Sequence, residues 1–283
     1  MASFTNFATL SYNGGTTNSN IVTGEILEAL TAVKTAVSAN YSAGDRITYA
    51  LSLVNTGTAA ITDYTVTDNL GGYTVGANTV YPLAYNAGTV RYYINGVLQT
   101  APTVTAGPPL TVTGLTVPAG GSAVLIYETT ATPVAPLATG SSITNTATIT
   151  GGGLTNPITA QATVETANSA ELSISKALSP TTVTENGQIT YTFVISNTGN
   201  TEATATGNVV VTDTFAPILR NIAVTYNGTA WTEGTNYTYN AATGVFTTLA
   251  GQITVPAASF TQNTDGTFTV TPGTATLVIT GTV

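Results

Sequence analysis

The feature that most constrains this chain is an internal repeat. Residues 34–57 align without a gap with residues 176–199, at an offset of 142, and each copy then continues into a Val-Thr-Asp run that ends at Asp68 or Asp213. The repeats of solenoid proteins are much shorter, at roughly 20 to 50 residues. The long period, in a chain of 283 residues, therefore indicates two tandem domains, which the length alone also favours.

The local pattern of each copy is typical of β-strands. Short runs rich in Val, Ile, Thr and Tyr alternate apolar with polar residues, and turn-forming pairs separate the runs. These pairs include Asn95-Gly96, Asn227-Gly228 and Pro272-Gly273. Residues 25–36 have some helical composition, but the repeat places their later part on a strand. The predicted fold class is therefore all-β, with two antiparallel β-sandwich domains in tandem.

The composition excludes many classes of function. The chain has 5 Lys and Arg against 13 Asp and Glu, and it has no Cys and no His. Zinc ribbons, disulfide scaffolds and enzymes that use a Cys or His side chain are therefore excluded. Five cations are too few to neutralise a nucleic-acid backbone, so no nucleic-acid partner is expected. No carboxylate cluster has the spacing of a calcium loop, and we expect no metal and no cofactor.

Targeting signals are not evident in the sequence either. Residues 1–24 have no basic start and no continuous apolar stretch, so they do not resemble a secretory signal. Every long uncharged run is interrupted by Thr, Asn, Gly or Pro, and no membrane span or membrane partner is predicted. We expect either a protein that stays inside the cell until the cell opens, or a sequence that is given as a trimmed product.

The second copy of the repeat ends earlier than the first. The first copy continues through a run at 142–150 and a returning run that ends at Glu165, whereas the second copy stops at the equivalent of the preceding strand, at 272–279. The second sandwich should therefore lack its closing hairpin. A sandwich without its last two strands exposes an apolar slot and unpaired edge amides, which favours capture of another strand.

A hairpin of the missing kind lies at the other end of the chain. Residues 4–25 align with residues 143–165, and Asn6 takes the place of Asn145. Only about eight residues connect this hairpin to the first domain, each spanning at most ~3.3–3.6 Å, so we expect the hairpin to enter a neighbouring molecule. The expected organisation is a donor hairpin at 1–26, a complete domain at 27–167 and an incomplete acceptor domain at 168–283.

Such an exchange is donor-strand complementation, and it joins unlike surfaces head to tail. The predicted donor-strand residues are Phe4, Phe7, Ala8 and Leu10.

Several motifs carry a resemblance to a known family. They are Leu-x-x-x-Lys at 30–34 and 172–176, Gly-Asp-x-Ile-Thr-Tyr at 44–49, Asn-Thr-Gly at 55–57 and 197–199, Val-Thr-Asp at 66–68 and 211–213, and Asn-Thr-Ala-Thr at 145–148. The pattern resembles the bacterial "conserved repeat" domain, domain of unknown function number eleven, which occurs in tandem on surface proteins and in the appendage subunits of some spore formers. The resemblance covers nearly the whole chain and implies Ig-like sandwiches in an extracellular or spore-surface structural protein.

The chain has only two lysines, and the repeat superimposes them. Strand alternation puts Lys176 on the same face as Leu172 and Ile174, which is the face expected to be buried. Burial favours the neutral amine, which is a nucleophile. The alternative is that Lys34 and Lys176 lie at strand ends and extend to water.

The family resemblance implies a covalent role for these lysines. Proteins of this type join a lysine to an Asn side chain through a spontaneous isopeptide bond, with a carboxyl group as proton shuttle. The implied bonds are Lys34 with Asn145 inside the first domain, and Lys176 with Asn6 of the next subunit. Asp68 and Asp213 are the acids that occur in both copies, and a raised pKa would let them protonate the leaving nitrogen. Alternatively, these Asn and Asp side chains only stabilise turns.

The sequence therefore predicts a self-assembling structural subunit of an extracellular appendage or spore surface, with itself as head-to-tail partner. The sequence leaves open whether an anchoring or tip protein is a further partner. Because no secretory signal is evident, the sequence leaves open that the fibre is assembled inside a mother cell before release. The alternative function is a surface adhesin or stalk module that binds a carbohydrate or host protein. The aromatic residues Tyr92, Tyr93 and Trp231, if exposed, would support this alternative. An enzyme is not expected beyond single-turnover bond formation.

Overall fold

The computed structural model describes residues 2–26 and 29–283. Within these ranges the chain forms β-strands and no α-helix, with one 3-10 turn at Ala205–Gly207. The prediction of an all-β fold is confirmed. The chain divides into two compact units, one made of the residues up to Ala135 with Ser142–Glu165, the other of Pro136–Ser141 with Thr166–Val283.

The N-terminal segment is a long antiparallel hairpin, and its residues 4–23 are exposed. Its strands are β1 (Ala2–Asn6), β2 (Thr9–Tyr12), β3 (Gly15–Asn18) and β4 (Val22–Ile26). Strand β1 pairs with β4, and β2 pairs with β3. The hairpin is interrupted between these pairs, where the register changes by one residue. At this point Ala8 N donates to the Ser19 side-chain oxygen at 2.9 Å, and Ser19 N donates to the Ala8 carbonyl oxygen at 2.8 Å.

Two of the predicted donor-strand residues therefore lie outside strands in the isolated chain. Phe4 and Leu10 lie on β1 and β2, whereas Phe7 and Ala8 lie in the interruption.

The first domain is a sandwich of two sheets. One sheet has the order β13-β12-β16-β7-β5, with β11 also paired to β16, and the other has the order β14-β15-β8-β17-β18-β6; β9 and β10 form a separate pair. The strands are β5 (Leu30–Ala36), β6 (Asn40–Tyr41), β7 (Arg46–Asn55), β8 (Ile61–Asp68), β9 (Tyr73–Val75), β10 (Asn78–Val80), β11 (Leu83–Tyr85), β12 (Arg91–Ile94), β13 (Val97–Leu98), β14 (Thr103–Thr105), β15 (Leu110–Val117), β16 (Ser122–Ala131), β17 (Ser142–Gly151) and β18 (Ile158–Thr166).

Strict alternation along the central strands builds the core of this domain. On β7, Ile47, Tyr49, Leu51 and Leu53 are fully buried, while most residues between them are partly or fully exposed. The same period of two places Tyr64, Val66 and Asp68 of β8 inside the sandwich. The interior therefore contains one acidic side chain that the sequence pattern itself positions there.

The second domain repeats only part of this architecture. Its larger sheet has the order β19-β20-β28-β22-β23, its smaller sheet has the order β21-β25-β24, and β26 and β27 form a separate hairpin. The strands are β19 (Leu172–Ser179), β20 (Gln188–Asn197), β21 (Thr212–Thr214), β22 (Arg220–Tyr226), β23 (Thr229–Trp231), β24 (Tyr237–Asn240), β25 (Val245–Thr248), β26 (Ser259–Gln262), β27 (Phe268–Thr271) and β28 (Gly273–Thr282).

The two domains differ most at one sheet edge. In the first domain β8 is paired on both sides, with β15 and with β17. Its counterpart β21 has one neighbour, β25, within residues 166–283. The edge of β21 that corresponds to the β17 side of β8 therefore has no paired strand among the described residues.

Candidate functional site

A lysine and an aspartate meet inside the first domain. Lys34 comes from β5 and Asp68 from β8 of the opposite sheet, and Lys34 Nζ lies 2.5 Å from Asp68 Oδ2. Their side chains are 0% and 1% exposed. The ammonium nitrogen also lies 4.9 Å from the ring centre of Tyr49 and 5.8 Å from that of Tyr127. The pair is thus enclosed by aromatic rings and shielded from water.

The carboxyl group of Asp68 is held by several donors. Oδ2 accepts the hydrogen bond of the Tyr127 hydroxyl in addition to that of Lys34. Oδ1 accepts from the backbone N–H of Leu70 at 3.0 Å. Asp68 therefore stabilises the turn after β8 and also contacts the buried amine, while its role as a proton shuttle stays a prediction.

Burial dominates the electrostatics of Lys34. Removal from water lowers the pKa of its amine to about 8, although the charge of Asp68 and the hydrogen bond to it act in the opposite direction. A lower pKa increases the fraction of neutral amine at neutral pH, and the neutral amine is the nucleophilic form.

Asn145 lies in the same interior. It is fully buried on β17, where Ala147 pairs directly with Asp68, so Asn145 is a diagonal neighbour of Asp68 on the inward face. Neither its amide nitrogen nor its amide oxygen has a hydrogen-bond partner in the protein. Buried polar atoms normally have partners, so the pair of unpaired atoms requires an explanation.

The second domain contains an incomplete copy of this cluster. Lys176 Nζ lies 2.5 Å from Asp213 Oδ2, but these side chains are 40% and 18% exposed. The ring centre of Tyr191 lies 4.5 Å from Nζ, and those of Phe193 and Phe215 lie at 5.4 and 5.6 Å. The amine, the acid and the aromatic wall are therefore in place in one chain.

The prediction that Lys176 is buried is wrong for the single chain. Leu172 and Ile174, on the same face of β19, are 40% and 54% exposed, whereas Leu30 of β5 is 2% exposed. The physical reason is that the described second domain, residues 166–283, contains no counterpart of β17 and β18. The inner face of β19 is accordingly left uncovered.

The outer strand pair of the N-terminal hairpin, β1 with β4, has the register of the closing hairpin of the first domain. Asn145 pairs with Ala162 and Ile143 with Val164. At the aligned positions, Asn6 pairs with Val22 and Phe4 with Gly24. Asn6 is exposed, so the hairpin presents an asparagine where the closing hairpin carries Asn145. The alignment proposed from sequence agrees with the observed pairing of β1 with β4, whereas Thr9 of β2 pairs with Asn18, one residue away from the β17–β18 register.

The other polar and aromatic candidate residues are accounted for by hydrogen bonding or packing within the fold. Asn55 and Asn197 are buried and donate to loop carbonyls, as expected of turn-stabilising residues. Tyr92 is buried, and Trp231 stacks on Tyr226 with ring centres 4.9 Å apart. Tyr93 is partly buried.

Sequence reasoning did not single out Tyr127. The strand pairing opposite the repeated tyrosines explains this, because Tyr127 faces Tyr49 in the first domain while Ile279 faces Tyr191 in the second. A search for residues shared by both copies therefore passes over it. Alternation along β16 was the available signal, since it places Tyr127 on the inward face.

The described residues contain no group of three or more Asp and Glu side chains placed to hold a metal ion. No helix among them is long and apolar enough to cross a membrane.

Comparisons with known proteins give only distant similarities. No family model matches the chain, so the family resemblance stays a prediction, and no curated protein matches. Among solved structures, the major pilin subunit BcpA of Bacillus cereus has 14% identity and a TM-score of 0.35, with 96% of this chain and 73% of that chain covered. The pilus backbone RrgB of Streptococcus pneumoniae has 14% identity and a TM-score of 0.36, with 86% and 55% covered.

The N-terminal domain of the Streptococcus gordonii adhesin Sgo0707 has 14% identity and a TM-score of 0.35, with 47% of this chain and 31% of that chain covered. Similarity at this level assigns no function.

Proposed function

We propose that this chain is a self-assembling structural subunit of an extracellular or spore-surface fibre. The N-terminal hairpin of one subunit completes the second domain of the next by donor-strand complementation, and a bond between Lys176 and Asn6 locks the contact. A second bond, between Lys34 and Asn145, locks the first domain internally. The placement on a cell or spore surface is supported by the family resemblance of the repeat motifs.

The open edge of β21 is the observation that carries this proposal. It lies beside the half-exposed Lys176–Asp213 pair, at the position where the first domain receives β17 and with it Asn145. A hairpin that pairs with β21 in the register of β17 would bring Asn6 to Lys176. It would also cover the apolar face of β19 and satisfy the free edge amides.

The proposed chemistry of the first domain needs only Lys34, Asp68 and Asn145, which are all buried in its interior. Neutral Lys34 attacks the side-chain carbonyl carbon of Asn145, and Asp68, 2.5 Å from the amine, accepts a proton from it. The same carboxyl group then returns the proton to the amide nitrogen, the carbon–nitrogen bond breaks, and ammonia leaves. One amide replaces another, and each site reacts once, so this is not turnover catalysis.

Electrophoresis of the purified protein in boiling detergent tests the proposal. We expect a ladder of covalent multimers from the unchanged chain and a single monomer band from Asn6→Ala or Lys176→Ala. Removal of residues 1–24 should leave monomers also in native conditions, because the donor strands are gone.

Two matched variants serve as controls. Asn20→Ala changes another exposed asparagine of the hairpin and should keep the ladder. Lys176→Arg keeps the positive charge beside Asp213 but removes the nucleophilic amine, and it should lose the ladder while non-covalent assembly persists. Covalent ladders that survive in both Asn6→Ala and Lys176→Ala would refute the intersubunit bond.

A further inference from the structure

Among the described residues, five buried side-chain polar atoms have no hydrogen-bond partner, and three of them belong to residues at the Lys34–Asp68 cluster. These three are the hydroxyl oxygen of Tyr49 and the amide nitrogen and oxygen of Asn145. Both residues are 0% exposed. A buried tyrosine hydroxyl normally has a hydrogen-bond partner, and a lone one lowers stability by the cost of its lost hydration. Its retention beside a reactive cluster therefore points to a use in the chemistry.

Tyr49 and Asn145 line the same buried cluster. The ring centre of Tyr49 lies 4.9 Å from Lys34 Nζ, and Asn145 is a diagonal neighbour of Asp68, whose Oδ2 lies 2.5 Å from the same nitrogen. Burial raises the pKa of Tyr49, and the charge of Asp68 raises it further, while the Asn145 amide lowers it. The phenol therefore stays protonated at neutral and mildly alkaline pH and remains available as a donor. Rotation of the Asn145 side-chain amide by half a turn brings either its oxygen or its NH2 group to the side of the Tyr49 hydroxyl.

We propose that the hydroxyl of Tyr49 is a catalytic hydrogen-bond donor to Asn145 Oδ1 during bond formation, and that Tyr191 has the same role toward Asn6 of the neighbouring subunit. This inference rests on the proposed isopeptide chemistry and adds a residue to it.

The role follows from where charge develops in the reaction. When Lys34 Nζ bonds to the carbonyl carbon of Asn145, the electron pair of the C=O bond moves onto Oδ1, which becomes negative. The O–H of Tyr49 stabilises this oxyanion in a site without water. The electron pair then re-forms the C=O bond, the bond from carbon to Nδ2 breaks, and Nδ2 leaves as ammonia with the proton carried by Asp68.

The other tyrosine at the site does not fit this role. The hydroxyl of Tyr127 is already donated to Asp68, and the second domain has Ile279 at the corresponding place. Tyr49 and Tyr191 occupy equal positions in the repeat, and the lysine nitrogen lies 4.9 and 4.5 Å from their ring centres. A group required at both sites must occur in both copies, and these tyrosines do.

The rate of ammonia loss tests the proposal. Protein made by cell-free translation is followed with time by intact-mass spectrometry, in a Lys176→Ala background where only the first domain can react. Tyr49→Phe keeps the ring and removes only the oxygen, and we expect it to slow the loss of ammonia by roughly 100-fold or more. Tyr64→Phe is the matched control, because Tyr64 also has a buried and unpaired hydroxyl, and it should react at the parent rate.

A stability measurement separates a catalytic from a structural role. In the Asn145→Ala background, which cannot form the bond, Tyr49→Phe should not lower the denaturation midpoint, because it removes an unpaired hydroxyl. If Tyr49→Phe slows the loss of ammonia but also lowers the denaturation midpoint in the Asn145→Ala background, then the role of Tyr49 is structural and the inference is overturned. Loss of ammonia from Tyr49→Phe at the parent rate would also overturn it. A parent chain that never loses ammonia would overturn the isopeptide chemistry itself, and the role of Tyr49 with it.

Discussion

Lys34 and Asp68 show why a buried ion pair can be retained without stabilising a fold. Removing two charges from water costs several kcal/mol per ion, and their attraction often only offsets this cost. In the proposed reaction the ammonium disappears and the unpaired amide of Asn145 becomes part of a secondary amide. The bond therefore removes a buried charge as well as joining two sheets of the sandwich.

The pKa of Lys34 makes the stability of the unlinked domain depend on pH. In Asn145→Ala the amine remains free, with a folded-state pKa of about 8 against 10.5 for the ordinary group. Between these values the unfolded chain binds more protons than the folded one, so the free energy of unfolding should rise with pH, by up to about 1.4 kcal/mol per unit. Below about pH 8 both states are protonated and this contribution should be constant.

Urea denaturation of Asn145→Ala across pH 7 to pH 10 measures this slope. Lys34→Arg is the control, since its guanidinium does not titrate in that range and it also cannot form the bond. The difference between the two variants isolates the contribution of Lys34. Equal pH dependence in both would contradict the lowered pKa.

At the scale of elements, alternation and repetition made the strands predictable from sequence. The period of two located the inward faces of β7 and β8, and the repeat aligned β1 and β4 with β17 and β18 in the register that the structure shows. The open slot of the second domain was predicted from the missing closing hairpin, whereas alternation along β19 identifies only a face and not whether another strand covers it. Tyr127 was missed because strand order, and not local sequence, brings β16 next to β7.

The interruption of the donor hairpin at Phe7 and Ala8 also escaped prediction. It coincides with a one-residue change of register and with a hydrogen bond from Ala8 N to the side chain of Ser19, and neither residue carries a strong turn signal. The hairpin of β26 and β27 in the second domain was not predicted either, because it lies outside the repeated segments.

The pairing of Phe4 with Gly24 gives a prediction for the hairpin. A side chain added at Gly24 would come within 2.4 Å of the Phe4 ring, so Gly24→Val should displace that ring and reduce covalent polymerisation severalfold, by analogy with other overpacked sites. The double variant Phe4→Ile with Gly24→Val reproduces the Ile143–Val164 pair of the first domain and should recover much of the ladder.

Thr23→Val adds an apolar residue to the opposite face of β4 and should polymerise like the unchanged chain. Densitometry of the detergent-resistant ladder compares the four proteins. If Gly24→Val polymerises normally, or if the double variant is no better than the single one, then this pair does not face the acceptor.

At the scale of the whole molecule, a chain with an unfilled edge and a surplus hairpin has two unlike ends. Joining unlike surfaces gives contacts that propagate instead of closing. Each contact should add the pairing of a strand edge and the burial of apolar side chains of β19, and the covalent bond would then make it permanent. Growth of the proposed fibre should therefore depend on both ends of every subunit.

Mixing two inactive full-length variants tests this dependence directly. Asn6→Ala keeps a reactive Lys176 but has no donor asparagine, while Lys176→Ala keeps Asn6 but has no nucleophile. Each alone should remain a monomer in boiling detergent, and the mixture should give one covalent band of two chains and nothing longer, because the product has no reactive pair left. A longer ladder would mean that other side chains react, and a mixture without the two-chain band would mean that Lys176 and Asn6 are not partners between molecules.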